Sequence, residues 1–140
     1  MATGTENLKR LSRLKSYGGA PLPKPLQYAA AAVWSDEEHV KENRKLYAAK
    51  YKLADDILSG LDGYSSPEAG FFLWLKVQDS EKTTLDLWRE TGVRVLPGAY
   101  LAQEKNGRNP GQNFIRVALV AQHNVTEEAL NKLRSFLDKQ

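Results

Sequence analysis

The 140-residue chain contains no cysteine, which excludes disulfide bonds and thiolate metal sites. The absence is typical of a protein from a reducing compartment, and we expect a cytoplasmic one. No segment approaches the run of about 18 apolar residues that a membrane-spanning helix needs. Residues 1–10 are polar and lack the apolar core of a secretory signal. We therefore expect no membrane association.

Histidine is nearly absent too, since the chain has only His39 and His123. They lie far apart in the sequence, and without thiolates they predict no metal site. The chain also lacks a glycine-rich phosphate loop and a nucleophile elbow around a serine. The residues by themselves therefore predict no catalytic residue and no cofactor-binding residue.

Charge is mixed along most of the chain, although the formal net charge is +3 and the pI about 9.1. The densest basic cluster consists of Lys9, Arg10, Arg13 and Lys15. Leucines run through this cluster at three-residue spacing, at Leu8, Leu11 and Leu14. This pattern predicts the solvated face of a short amphipathic helix and no nucleic-acid partner. A basic binder of nucleic acid, with salt-dependent affinity for any DNA, is the weaker alternative.

Periodicity and turn residues predict the secondary structure from residue 16 onward. Residues 16–25, rich in glycine and proline, should be extended, and Ser35 should begin a capping box that starts a long helix. The predicted later elements are a strand over 71–77, a helix over 83–91 with Leu85 and Trp88 inward, a short strand over 93–96, a loop over 105–112, a strand over 114–121, and a helix capped by Thr126 with a Val125–Leu130 staple.

This order of elements predicts an α/β (α+β) fold, a two-layer sandwich in which helices cover one face of a small sheet. The last two strands are joined by a loop without a helix, so they should pair antiparallel. The sheet should therefore be mostly antiparallel.

Arg116 is the residue that stands out chemically, because it interrupts an otherwise apolar strand. An unpaired buried guanidinium is costly and needs a carboxylate or phosphate partner. The partner could be an Asp or Glu of the same domain, or an anionic ligand held by two parallel hydrogen bonds. Spacing alone favours the internal ion pair.

Three motifs in order resemble the class I/II, fold-type I aminotransferases that depend on pyridoxal phosphate. Residues 67–74 (PEAGFFLW) resemble the family's P-x-G-x-F-x-W strand, residues 92–98 (GVRVLPG) its G-V-x-V-x-P-G segment, and residues 114–118 (FIRVA) the strand that carries its substrate-carboxylate arginine. Residues 16–21 and 96–102 look most similar to bacterial succinyldiaminopimelate aminotransferases. The chain thus resembles the family's C-terminal small domain.

The resemblance implies roles for four residues. Arg116 would bind the α-carboxylate of an amino acid or 2-oxo acid substrate, which orients the substrate beside the cofactor. Pro97, Gly98 and Tyr100 would belong to a loop that lines the substrate mouth. Phe71 and Trp74 are expected to pack in the core of the domain.

The resemblance also divides the chain and assigns the missing parts. Residues 1–25 would be a basic helix with a proline- and glycine-rich lead-in, and residues 26–140 the small domain. In this family the lysine that binds pyridoxal phosphate lies on a large domain, which should precede residue 1 and through which family members form homodimers. We therefore expect an isolated chain that does not bind the cofactor covalently and is inactive. The alternative is a non-catalytic remnant or interaction domain that retains the fold.

Overall fold

The computed structural model describes residues 4–19 and 22–140. It contains five α-helices, three strands and one short 3₁₀ helix in this range: α1 (Thr5–Gly18), α2 (Lys24–Ser35), α3 (Glu38–Leu58), β1 (Phe72–Lys76), α4 (Ser80–Thr91), β2 (Leu96–Pro97), the 3₁₀ helix Gly98–Leu101, β3 (Phe114–Ala118) and α5 (His123–Leu137). Contacts divide the chain into two compact units, one ending at Lys41 and the other spanning Glu42–Gln140. The predicted boundary after residue 25 remains a prediction.

The first unit holds α1 and α2, and neither helix has a buried residue. The predicted helix with Leu8, Leu11 and Leu14 on one face is present as α1, and these leucines are exposed. The prediction of an extended segment over residues 16–25 is wrong at both ends. α1 continues to Gly18, and α2 begins at Lys24 with Pro25 in its first turn, where proline needs no hydrogen-bond donor. Ala20 and Pro21 lie outside the described residues.

The long helix α3 begins differently from the predicted capping box. Ser35 Oγ donates to the carbonyl of Ala31 within α2, and Asp36 Oδ1 accepts from the backbone N–H of Glu38. Asp36 therefore satisfies a free donor at the start of α3 in place of Ser35. α3 ends at Leu58, just before Gly60, whose φ of 86° suits a residue without a Cβ.

The sheet is antiparallel with the strand order β1-β3-β2. The predicted antiparallel pairing of the last two strands is confirmed. The strands are shorter than predicted, and β2 has only two residues, Leu96 and Pro97. Because β3 lies between the other two strands, its residues have neighbours on both sides.

One face of the sheet forms the core together with helices of the second unit. The core consists of apolar side chains from α3, α4 and α5, from β1 and β3, and from residues that flank the strands. They are Ala54, Leu58, Leu73, Leu75, Val77, Leu87, Val95, Ile115, Val117, Leu119, Leu130, Leu133 and Phe136. The predicted two-layer α/β sandwich with a small antiparallel sheet is therefore confirmed.

Several predicted core positions are wrong. In α4, Leu85 and Trp88 are exposed, while Ser80, Thr83 and Leu87 are buried. The helix begins at Ser80, directly after its cap Asp79, and this start turns the 80–83–87 face inward.

Two aromatic residues of the β1 region, Phe71 and Trp74, are also exposed instead of packed in the core. In β1 the alternate residues Leu73 and Leu75 occupy the buried face, so Trp74 must lie on the other one. The aromatic face of β1 is thus open in the described residues.

The last helix also starts earlier than predicted. α5 begins at His123, so Thr126 lies inside it and is buried, with its hydroxyl donating to the carbonyl of Gln122. Val125 is exposed and cannot form the predicted staple with Leu130. The hydroxyl of Thr126 therefore bonds a carbonyl of the preceding turn and does not cap the helix.

Candidate functional site

Arg116 lies at the centre of the sheet, on the face opposite the core. Its neighbours in β3, Ile115 and Val117, are buried, so Arg116 points to the other side. Across the sheet it pairs with Trp74 of β1 and Leu96 of β2. This outer face also carries two further aromatic rings, Phe72 and Phe114, and the ring of Phe114 stacks on Trp74 at 5.7 Å.

Within the described residues, the guanidinium of Arg116 has no hydrogen-bond or ion-pair partner. Its Cζ lies 5.5 Å from the centre of the Phe72 ring, within range of a cation–π contact. Its Nε is buried and has no hydrogen-bond acceptor in residues 4–19 and 22–140. The ion pairs formed by the described residues do not include Arg116. The internal ion pair that spacing favoured is therefore absent from the described chain, and the terminal nitrogens of Arg116 remain free for an acceptor from outside it.

The predicted substrate-mouth loop lies beside Arg116. Leu96 pairs with Arg116 and Pro97 with Ile115, so the 3₁₀ helix Gly98–Leu101 leaves β2 directly next to the centre of β3. Pro97 and Gly98 are buried, and Tyr100 is 69% exposed. Of the three predicted loop residues, only Tyr100 therefore presents its side chain to solvent.

Tyr100 is held by the start of α4. Its hydroxyl donates to Glu81 Oε2 at 3.1 Å, and this hydrogen bond to a carboxylate raises the pKa of Tyr100 above its ordinary value of 10.0. Tyr100 is therefore a neutral hydrogen-bonding group at physiological pH.

A row of aromatic rings leads away from Arg116, and it includes Phe71, which was expected in the core. Phe72 contacts Phe71 edge-to-face at 5.5 Å, and Phe71 lies 6.3 Å from Tyr47 of α3. Phe71 and Tyr47 line a groove of about 560 Å³ together with Arg44, Tyr51 and other residues of α3 and the 68–71 segment. The sequence indicates this aromatic surface, because both faces of the β1 segment are apolar and only one of them can lie against the core.

Other classes of site find no support in the described residues. Within residues 4–19 and 22–140, no three metal-binding side chains cluster together. His39 lies on the surface of α3 beside Asp36, and His123 is the first residue of α5. In that same part of the chain, no helix is both long enough and apolar enough to cross a membrane.

Comparison with known proteins identifies the family of this chain. Residues 4–135 match the family described as aminotransferase class I and II. The chain belongs to this family. The membership predicted from the three motifs is thus confirmed.

Among the aminotransferases of known structure, one from Neisseria meningitidis is 35% identical, with a TM-score of 0.87, and the match covers 97% of this chain and 35% of that protein. A probable N-succinyldiaminopimelate aminotransferase from Thermus thermophilus is 26% identical, with a TM-score of 0.73, covering 94% of this chain and 35% of that one. The 4-dedimethylamino-4-oxo-anhydrotetracycline transaminase of Streptomyces rimosus is 27% identical over 114 residues, which are 80% of this chain and 30% of that enzyme. The chain therefore spans about a third of the length of these relatives.

The described lysines do not fit the covalent pyridoxal phosphate site of an aminotransferase. A lysine that forms a Schiff base is activated by desolvation or by a neighbouring cation. Eleven of the twelve lysines here are exposed. The remaining one, Lys50, is half-buried and donates to the carbonyl oxygen of Leu119 at 2.8 Å. The described residues of this chain thus include an arginine without an ion-pair partner and no lysine with the surroundings of a Schiff-base lysine.

Proposed function

We propose that this chain is the small domain of a pyridoxal-phosphate-dependent aminotransferase, and that Arg116 binds the α-carboxylate of the amino acid or 2-oxo acid substrate. The observation that carries the proposal is the unpartnered, buried Nε of Arg116 at the centre of an open sheet face. Because Nε is buried, a carboxylate from solvent would meet the two terminal nitrogens, Nη1 and Nη2, and form two parallel charge-assisted hydrogen bonds with them.

The role of Arg116 is to position the substrate. Two parallel hydrogen bonds fix the carboxylate plane, and therefore the direction of the bonds at Cα, which is the geometry that amino-group transfer requires. The aromatic rings around Arg116 exclude water and strengthen the ion pair by lowering the local dielectric constant. Pyridoxal phosphate, when bound elsewhere in a complete enzyme, supplies the electron sink for the carbanion.

The substrate we favour is an N-succinylated diaminopimelate, in a pathway of lysine synthesis. Support comes from the name of the Thermus thermophilus structure and from the likeness of residues 96–102 to such enzymes. The Streptomyces rimosus relative is named for a tetracycline intermediate. Enzymes with similar small domains therefore act on substrates of very different structure. We further propose that the complete enzyme is a homodimer.

A second candidate follows from the lysines described above. A chain without a lysine suited to the cofactor is equally compatible with a non-catalytic remnant that retains the fold. Both candidates share the fold, and they differ in whether Arg116 still binds carboxylates.

The test is a titration of the ¹⁵N-labelled 140-residue chain with pyruvate, with methyl pyruvate as the matched uncharged probe. We expect the Nε–Hε resonance of Arg116 to shift with pyruvate at a Kd of about 1–10 mM, a binding free energy of about 3–4 kcal/mol that two charge-assisted hydrogen bonds can supply. Methyl pyruvate should leave the resonance in place. Absence of a shift up to about 50 mM pyruvate would contradict a carboxylate-binding role and favour the remnant.

A second arm addresses the cofactor. The chain is titrated with pyridoxal phosphate, reduced with borohydride and mapped by peptide mass. We expect scattered, substoichiometric labelling of the exposed lysines. A single stoichiometric adduct that also turns over with an amino acid would show that this chain builds a cofactor site by itself, contrary to the proposal.

A further inference from the structure

The 3₁₀ helix beside Arg116 is attached to the rest of the domain through Asn109. Asn109 Nδ2 donates to the carbonyl of Ala99 at 2.9 Å, and Asn109 Oδ1 accepts from the backbone N–H of Gly111 at 2.9 Å. The side chain therefore uses its donor and its acceptor in opposite directions, one toward the 3₁₀ helix and one into its own loop. We call Asn109, Gly111 and the Gly98–Ala99 peptide the Asn109 clasp.

Two glycines bring the backbones of the clasp into direct contact. A Cβ added at Gly111 would lie 2.1 Å from the carbonyl oxygen of Gly98, and one added at Gly98 would lie 2.5 Å from the carbonyl oxygens of Gly111 and Phe114. Neither position has room for a side chain, because real Cβ atoms essentially never come closer than about 3 Å to a backbone atom. The clasp thus holds β2 and its 3₁₀ helix tightly against the residues that lead into β3.

The loop of the clasp is also anchored on its far side. The backbone N–H of Val77 donates to the carbonyl of Asn113, and that of Ser80 donates to the carbonyl of Gln112. The hydroxyl of buried Ser80 in turn lies 3.4 Å from the backbone nitrogen of Ala99, as a hydrogen-bond acceptor. A rigid frame formed by the β1–α4 junction therefore supports Asn109.

The clasp adds to the contacts that position β2, which are few on the side of β3. With two residues, β2 is shorter than an ordinary strand, and it pairs only with Arg116 and Ile115. Loss of the clasp would let Leu96 and the 3₁₀ helix move away from β3, removing one wall of the space around the guanidinium.

We propose that Asn109 is a positioning residue that fixes Leu96 and Tyr100 beside Arg116 and thereby sets the geometry of the carboxylate site. This inference rests on the proposed carboxylate role of Arg116. Asn109 does not itself contact the substrate, and it acts through the Ala99 carbonyl. Its amide is specifically required, because Asp at this position would keep the acceptor for Gly111 and place a carboxylate against the carbonyl of Ala99.

The test compares Asn109→Asp with Asn106→Asp in the 140-residue chain. Asn106 lies in the same loop with a φ of 54°, a conformation that Asp also tolerates, so it receives the same added charge without loss of the clasp. We expect the pyruvate Kd, read from the Arg116 Nε–Hε resonance, to rise about five- to tenfold in Asn109→Asp, the equivalent of one hydrogen bond. In Asn106→Asp it should stay within about twofold.

Amide hydrogen exchange provides the readout that does not depend on ligand binding. The N–H of Ala99 donates to Ser80 Oγ, and loss of the Asn109 bond to the carbonyl of the same residue should loosen it, so we expect this N–H to exchange at least about fivefold faster in Asn109→Asp, while the N–H of Gly111 keeps its protection. Unchanged exchange at Ala99 would overturn the clasp. Faster exchange with an unchanged Kd would overturn the positioning role, because a tether that is merely structural loosens the loop without affecting the site.

The two proposals fail in different ways. If the wild-type chain does not bind pyruvate, the carboxylate role of Arg116 is refuted, and the positioning inference with it. If the wild-type chain binds and the two aspartate variants bind equally well, Arg116 keeps its role and only the inference about Asn109 is wrong. Gly111→Ala, which forces the same backbones apart, should weaken pyruvate binding at least as much as Asn109→Asp in chains that remain folded by circular dichroism.

Discussion

Replacing Arg116 by methionine should stabilise the second unit, which is the opposite of what loss of a structural arginine would do. The buried Nε of Arg116 has no acceptor in the described chain, and an unsatisfied buried donor costs about 1–3 kcal/mol. The cation–π contact with Phe72 returns about 0.5–1 kcal/mol of that cost. Methionine keeps the length of the side chain and a favourable sulfur–aromatic contact. We therefore expect a net stabilisation of about 1 kcal/mol.

Urea unfolding of the 140-residue chain, followed by far-UV circular dichroism, measures this difference. With a denaturant slope of about 1–3 kcal/mol per molar urea, the midpoint should rise by about 0.3–1 M with an unchanged slope. Such a gain in the free energy of unfolding would be a stability–function trade-off, because an arginine kept for binding lowers the stability of the domain.

Arg134→Met is the matched control. Arg134 Nε donates to Asp138 at 2.8 Å, and its Nη1 donates to the carbonyl of Ser59 at 3.0 Å, so this arginine has partners within the domain. Its replacement should lower the free energy of unfolding by about 1 kcal/mol, and the urea midpoint with it. A drop in the midpoint of Arg116→Met comparable with that of the control would refute the reasoning and show that Arg116 holds the fold together.

Two further predictions concern the fold. Leu87→Ala should cost about 2–5 kcal/mol in free energy of unfolding, because Leu87 is fully buried in the core, whereas Leu85→Ala on the exposed side of α4 should change it by less than about 0.5 kcal/mol; equal urea midpoints for the two variants would contradict the orientation of α4. Tyr64 has its pKa raised above the ordinary 10.0 by burial and by its hydrogen bond to Asp55, so its stabilising contribution is present below pH 10 and is lost as the pH rises above that value. The urea midpoint should accordingly fall less between about pH 9 and 11 in Tyr64→Phe than in the wild type, and an identical fall would show that Tyr64 is not coupled to folding.

The sequence by itself determined the fold class, the family and the identity of the central arginine. A strand was predicted over 71–77, where β1 lies, and the absence of a helix between the last two strands predicted their antiparallel pairing, as observed. These features depend on local periodicity and connection length, and both can be read directly from the sequence. Arg116 was recognisable because a charge within an apolar strand violates that same periodicity.

Only the tertiary structure decided which apolar surfaces are buried and whether Arg116 has a partner. The resemblance placed Phe71 and Trp74 in the core, where they are not, and periodicity could not have corrected it, because it cannot tell a buried apolar side chain from one on an open face. The clasp at Asn109 was invisible for a related reason, since its hydrogen bond joins residues of two separate loops. An ion pair for Arg116 depends on which carboxylates the fold brings near, and the described chain brings none. Distances across the fold are set by packing of the whole domain, and no local pattern encodes them.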